Sequence, residues 1–206
     1  MTSAIHVKPI SGALGAEIEG VDLASDLSNE AFDQVHQAFL DHHVIFFRGQ
    51  HGLTPEKHKA FGRRFGTLNV HPYVKGMEGH PEILEIIKEP EEKTNFGGGW
   101  HSDMSFQKEP ALGSILYGID IPPYGGDTLF ASQYRAYETL SDGMKKLLDG
   151  LTALHTAKAE YGRAGNSAQK RSAMDVKNAE EDVPAYEHPV VRTHPETGRK
   201  ALYVSP

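Results

Sequence analysis

Apolar residues recur along this chain with two periods, and the points where one gives way to the other mark out short elements. "AIHVKPISGALGAEIEGVDL" (4–23) alternates apolar and polar residues around Gly12, Gly15 and Gly20. That alternation predicts two strands joined by tight turns, a β hairpin. Behind Ser28, the residues Phe32, Val35, Phe39 and Leu40 follow at three, four and one residue spacing and predict a capped helix with one apolar face. "VIFF" (44–47) predicts a buried strand ended by Arg48 and Gly49. In "LTPEKHKAFGRRFG" Thr54 is the cap of a second helix and Pro55 takes its first position, where the missing N–H costs nothing. Phe61 and Phe65 give that helix its apolar side.

"EILEII" (82–87) and "ALGSILYGIDI" (111–121) are rich in Ile and Leu and predict core strands, with Trp100 packed between them as core. "PPYGGDTLF" (122–130) predicts a turn and then a strand. Residues 132–151 predict two helices, the second capped by Ser141 and striped by Leu140, Met144, Leu147, Leu148 and Leu151. Between Lys158 and Pro184 the sequence turns polar, which predicts a surface excursion or lid. "HPVVRTHPETGRKALYV" returns to two strands around a turn at "PETG".

Composition sharpens this pattern. The 206 residues suit one domain, and 21 Gly with 12 Pro favour a turn-rich, mainly β chain with flanking helices over a helical bundle. A formal charge of −7 leaves no global positive field for a phosphate backbone, so nucleic acid is not expected as a partner. No apolar run approaches a membrane span, and "MTSAIHVKPI" lacks the pattern of an export signal, so a cytoplasmic location is expected. The absence of cysteine excludes disulfides, thiolate metal sites and a cysteine nucleophile. Any metal is left to carboxylates and the 12 histidines.

The candidate chemistry lies in "GGGWHSDMSF" (97–106). Side chains two apart on an extended chain share a face, so His101 and Asp103 can offer an imidazole and a carboxylate to one ion. With one further histidine they would complete the three-ligand face of the non-haem Fe(II) oxygenases. The dipeptide alone is weak, because roughly 0.6 such matches arise by chance in a chain of this composition. A turn in which the two residues bond each other remains the alternative.

The wider context carries more. "NFGGGWHSDMSF", "PPYGGDTLFASQYRAYETL" and "HPVVRTHPETGRKALYV" resemble, in order and spacing, the taurine dioxygenase family of Fe(II)- and 2-oxoglutarate-dependent oxygenases. The resemblance runs from about Ile5 to the last residue. It implies a double-stranded β-helix, or jelly roll, with helices packed outside. It also implies His101 and Asp103 as two of three iron ligands and Thr128 as the residue bonding the 2-oxoglutarate carboxylate. His71 and Tyr73 of "NVHPY" would hold an anionic substrate group, and Met104 and Phe106 would line the substrate pocket. The cofactors implied are Fe(II), 2-oxoglutarate as co-substrate, and O2.

The expected reaction hydroxylates a small anionic substrate such as taurine or another sulfonate, with release of sulfite, succinate and CO2. Alkyl sulfates, aryloxy acids and other small carboxylates are the alternative substrates, and a non-catalytic metal-binding β-barrel fragment is the alternative class. Two departures from the family pattern stand out. Gly97, Gly98 and Gly99 replace a polar run before the tryptophan, which would open the pocket rim. The family's distal metal histidine and carboxylate-clamping arginine would lie beyond "ALYVSP", so the expectation is a single, incomplete domain over 1–206 that is inactive by itself. Its open barrel would expose a strand edge, which leaves room for a homo-oligomer.

Overall fold

The structure is a computed structural model that describes residues 4–93, 95–162, 174–177 and 183–205. Chain contacts group into two units. The first comprises Met1–Phe65, Ile115–Asp149 and Val191–Leu202. The second comprises Gly66–Ser114, Gly150–Val190 and Tyr203–Pro206.

In the first unit the expected hairpin forms, with β1 (His6–Pro9) antiparallel to β2 (Ala16–Glu19). β3 (Ile45–Phe46) adds in parallel on the other side of β2. Helix α1 (Asn29–His42) starts where Ser28 Oγ accepts the Ala31 N–H at 3.2 Å. It stops at His43, whose φ of +66° is incompatible with another turn. Phe32, Val35 and Ala38 point from α1 into a core with Ile18, Leu23, Leu53 and Phe61. Helix α2 (Pro55–Arg63) is capped by Thr54 and carries Phe61, which meets Phe65 edge to face at 5.3 Å.

Among the described residues Val35 is the one large side chain at 0% exposure, so no water can refill the space its methyls occupy. Val35→Ala is expected to cost about 1–3 kcal/mol, read as a lower denaturant midpoint at unchanged slope.

Helices α3 (Gln133–Glu138) and α4 (Asp142–Leu148) are capped by Ser132 and Ser141. β6 (Val191–Thr193) and β7 (Lys200–Leu202) form the expected terminal hairpin. Arg199, just before β7, lies over the Tyr134 ring at 4.2 Å and pairs with Glu138 at 2.6 Å. It thereby ties the hairpin to α3.

The second unit holds β4 (Thr152–Thr156) antiparallel to β5 (Ala185–Pro189), and the short helix α5 (Lys158–Tyr161). Its core is Val74, Ala157, Tyr161, Met174, Val176 and Val183, with Tyr73, Leu84, Phe96 and Phe106 packed against it. Of the 158–184 stretch, residues 163–173 and 178–182 lie outside the described residues.

The expected strands at 82–87, 111–121 and 128–130 are not strands. Those segments run without ladder partners, and most of their apolar side chains face outward, Ile119 at 84% exposure, while Leu84 and Tyr117 pack against the two cores. A run of Ile and Leu marks chain that could be buried, but a strand also needs a neighbour for its N–H and C=O groups. The apolar stripe of α4 is likewise uncovered, with Met144, Leu147 and Leu151 exposed. Among the described residues the three small sheets do not close into a barrel. No helix among the described residues is long and apolar enough to cross a membrane.

Candidate metal centre and anion pocket

His101 and Asp103 do meet, but in a turn and not on the expected strand. Met104 at φ +53° folds the chain back, and the Gln107 N–H donates to the Met104 carbonyl at 3.0 Å. His101 Nε2 then lies 3.0 Å from Asp103 Oδ1. The other carboxylate oxygen accepts the Ser114 hydroxyl at 2.7 Å.

The second ring nitrogen decides what this pair can do. His101 Nδ1 lies 2.7 Å from the Gly99 carbonyl, which can only accept, so Nδ1 carries the proton. A neutral imidazole has one N–H, and here two acceptors face it. The lone pair of Nε2 therefore points at a carboxylate oxygen, which is unfavourable unless a second proton or a metal cation sits between them. An Nδ1–H held by a backbone carbonyl is the usual support of a metal-bound histidine. The spacing fits as well, since adjacent donors on an octahedral ion with bonds of about 2.1 Å stand about 3.0 Å apart. Both side chains are about half exposed, so an ion has access. Among the described residues no third His, Asp or Glu joins the pair in a metal-binding cluster.

The glycines before the tryptophan are explained by the histidine. Gly97 has φ +65°, and a Cβ there would come within 2.9 Å of His101 Cε1. Gly98 is tight against Asn95, and Gly99 supplies the carbonyl that holds Nδ1. The missing side chain at Gly97 seats the imidazole, a role distinct from the opened pocket rim that the departure from the family pattern suggests. Gly97→Ala is expected to displace the ring and weaken metal binding about 10-fold or more, read by Fe(II) titration. Trp100, expected in the core, is 60% exposed, because the strands that would have covered it are not formed.

His71 lies near enough to feel the Asp103 charge, and Tyr73 is 6.2 Å from it between ring centres. The His71 Nδ1 accepts the N–H groups of Tyr73 and Val74 at 3.1 and 3.0 Å, so its proton sits on Nε2 as a donor. Burial holds the ring's pKa below the ordinary histidine value, while the nearby Asp103 charge pulls the other way. Tyr73 is pushed up by burial and then by Tyr186, and so stays a neutral phenol. The segment is pinned from behind, where Lys177 N–H donates to the Tyr73 carbonyl at 2.9 Å and Lys75 N–H to that of Asp175 at 3.0 Å.

Phe106 joins the same cluster, 6.1 Å from Tyr73 and 6.3 Å from His71 between ring centres. Tyr161 is a member that the sequence reading missed. It stacks on Tyr73 at 4.8 Å and 19° and lies 5.5 Å from His71. Its signal was a lone aromatic at the edge of a stretch otherwise read as polar surface. Met104 is half buried at the turn itself. Thr128 lies in the other unit, exposed and outside any strand.

Comparison with known proteins defines the class first. A crystal structure described as a taurine dioxygenase from Burkholderia xenovorans superposes with TM-score 0.77 at 38% identity, over 99% of this chain and 64% of that one. Its fold type is the jelly roll of the 2-oxoglutarate-dependent dioxygenases. The chain is also 34% identical to an alkylsulfatase of Acinetobacter baylyi, over 98% of its length and 63% of the relative's. It is 32% identical to an alpha-ketoglutarate-dependent sulfate ester dioxygenase of Pseudomonas putida, over 96% and 65%. Residues 6–206 match the family described as "Taurine catabolism dioxygenase TauD, TfdA family", and the chain belongs to that family. Its members use Fe(II), 2-oxoglutarate and O2. The chain spans just under two thirds of the length of these relatives.

Proposed function

We propose that the protein is a cytoplasmic Fe(II)- and 2-oxoglutarate-dependent dioxygenase that hydroxylates a small organic sulfonate, taurine among the candidates. The observation that carries this reading is the His101–Asp103 pair, with Nδ1 anchored and Nε2 facing a carboxylate oxygen at 3.0 Å. His101 and Asp103 would hold the iron. When bound, iron with 2-oxoglutarate and O2 supplies the oxidant for a C–H bond. Everything else is positioning by the chain. His71 Nε2–H and the Tyr73 hydroxyl are neutral donors, and two such donors suit a sulfonate, whose oxygens only accept. Met104 and Phe106 would exclude water from the carbon that reacts. Hydroxylation at the carbon bearing sulfur leaves an adduct that collapses to an aldehyde and sulfite.

The test is sulfite and succinate formation by the iron-loaded native protein, with taurine, ethanesulfonate, an alkyl sulfate and an aryloxy acid in parallel. Sulfite from a sulfonate, matched mole for mole by succinate, is the expected result. No substrate-dependent succinate from any of the four would overturn the reading. Residues 1–206 expressed alone offer this pair but no third ligand among those described, and two monodentate donors hold Fe(II) weakly. They are expected to give no succinate above a His101→Ala control.

A further inference from the structure

Gln107 ends the turn that follows Asp103, and the structure holds it at three points. Its N–H donates to the Met104 carbonyl at 3.0 Å. Its side-chain oxygen accepts from Asn69 Nδ2 at 3.1 Å, two residues before His71. Its carbonyl lies 3.0 Å from Nε2 of His188, which comes from a strand 81 residues further on. A carbonyl can only accept, so the His188 proton sits on Nε2 and is donated to it. Residues 101–107 lie in no strand, and this bond ties them to a sheet that they do not join.

His188 has little freedom to give way. It stands on β5 opposite Ala153 of β4 and is 7% exposed. Its ring meets His155 edge-on at 5.0 Å and Tyr203 at 5.5 Å and 83°, and those two rings stack on each other. A buried ring wedged against a stack keeps one rotamer, so the fold sets the direction of its N–H. The turn that it holds buries Ser105 to 5% exposure and leaves His101 and Asp103 about half exposed.

We propose that His188 is a positioning residue for the metal pair: its Nε2–H, fixed by β5, holds the Gln107 carbonyl and so sets where the turn presents Asp103. The inference rests on the reading of His101 and Asp103 as iron ligands and adds the group that keeps them in place. His188 acts through Gln107 and not on the ion itself.

The experiment is anaerobic Fe(II) titration of the native protein and three variants, read by competition with a chromogenic iron chelator. His188→Phe keeps a packed ring and leaves the Gln107 carbonyl without its donor, and is expected to weaken iron binding about 10-fold. His188→Gln returns an N–H close to the same place and is expected to recover affinity to within about threefold of native. Val35→Ala, which lowers stability through a different core, is expected to bind iron as the native protein does. Unchanged affinity in His188→Phe would overturn the proposal, as would an equal loss in His188→Gln or in Val35→Ala. One measurement needs no variant and decides the matter even if His188→Phe does not fold. Long-range proton–nitrogen NMR correlations of the metal-free native protein should place the His188 proton on Nε2, and a proton on Nδ1 alone would overturn the proposal. The two readings fail separately. Iron weakened by His188→Phe in a protein that forms no substrate-dependent succinate keeps the positioning role and removes the dioxygenase. Succinate formation with iron affinity indifferent to His188→Phe keeps the dioxygenase and removes the positioning role. A native protein that binds no iron removes both.

Discussion

Replacing His101 by alanine is expected to lower Fe(II) affinity by about 100-fold or more, and to abolish substrate-dependent succinate formation by the native protein. The basis is donor arithmetic and not burial. The imidazole is delivered with Nδ1–H committed to the Gly99 carbonyl and its other lone pair aimed at Asp103, so its deletion removes one ligand and the partner that orients the other. Loss of outer-shell support alone commonly costs 10–100-fold in metal affinity, and loss of a ligand costs more. Asp103→Ala should behave alike, while Ser114→Ala, which frees one carboxylate oxygen, should cost roughly 10-fold. A structural reading in which the pair only closes a turn makes another forecast. His101→Ala would then lower thermal stability slightly and leave a metal titration unchanged.

The second large effect concerns acid. His155 on β4 is 3% exposed, and among the described residues neither of its ring nitrogens makes a well-formed hydrogen bond, leaving only a weak interaction with the Tyr203 backbone. Its ring stacks on Tyr203 at 5.1 Å and meets His188 edge-on at 5.0 Å. Burial lowers its pKa, and the neighbouring His188 lowers it further, with the Tyr203 backbone offsetting part of this. His43, His58, His71 and His194 are lowered as well, each first by burial. A histidine depressed in the folded state binds its proton more readily when unfolded. Its neutral form supports the fold fully above the ordinary value of about 6.5, and that support drains away as pH falls through the folded value.

Urea midpoints should therefore drop on going from pH 7.5 to 5.5. His155→Phe keeps the stacked ring and removes the unsatisfied nitrogens, so it is expected to raise stability by about 1–3 kcal/mol and to flatten part of the acid slope. Parallel curves for the two proteins between those pH values would contradict the assignment.

What the sequence disclosed and what it withheld follow from how far each signal reaches. Ser28, Thr54 and Ser141 were legible as caps because a cap is settled within three residues, and each hydroxyl does accept the expected N–H. The hairpins at 6–19 and 191–202 were legible for the same reason, as strand, turn and strand lie together. Residues 111–121 carry a clear run of Ile and Leu, yet they make no ladder, because pairing depends on a distant neighbour that local pattern cannot supply. The site divides in the same way. The pair His101 and Asp103 stood out at two-residue spacing, but that their side chains turn onto each other at 3.0 Å, off any strand, is seen only in the structure. The need for Gly97 appears only once the imidazole is seen against it. Tyr161 and Tyr186 enter from segments far along the chain, which no spacing rule connects to "NVHPY".

The central claim is that this pair holds an iron which in turn binds a 2-oxo acid. Anaerobic titration of the native protein with Fe(II) and 2-oxoglutarate measures it most directly, through the visible charge-transfer absorption of iron chelated by a 2-oxo acid. The account predicts that the band appears at one equivalent of iron, needs both additions, and is lost in His101→Ala and Asp103→Ala. A band of full intensity in either variant, or none in the folded native protein, would contradict it.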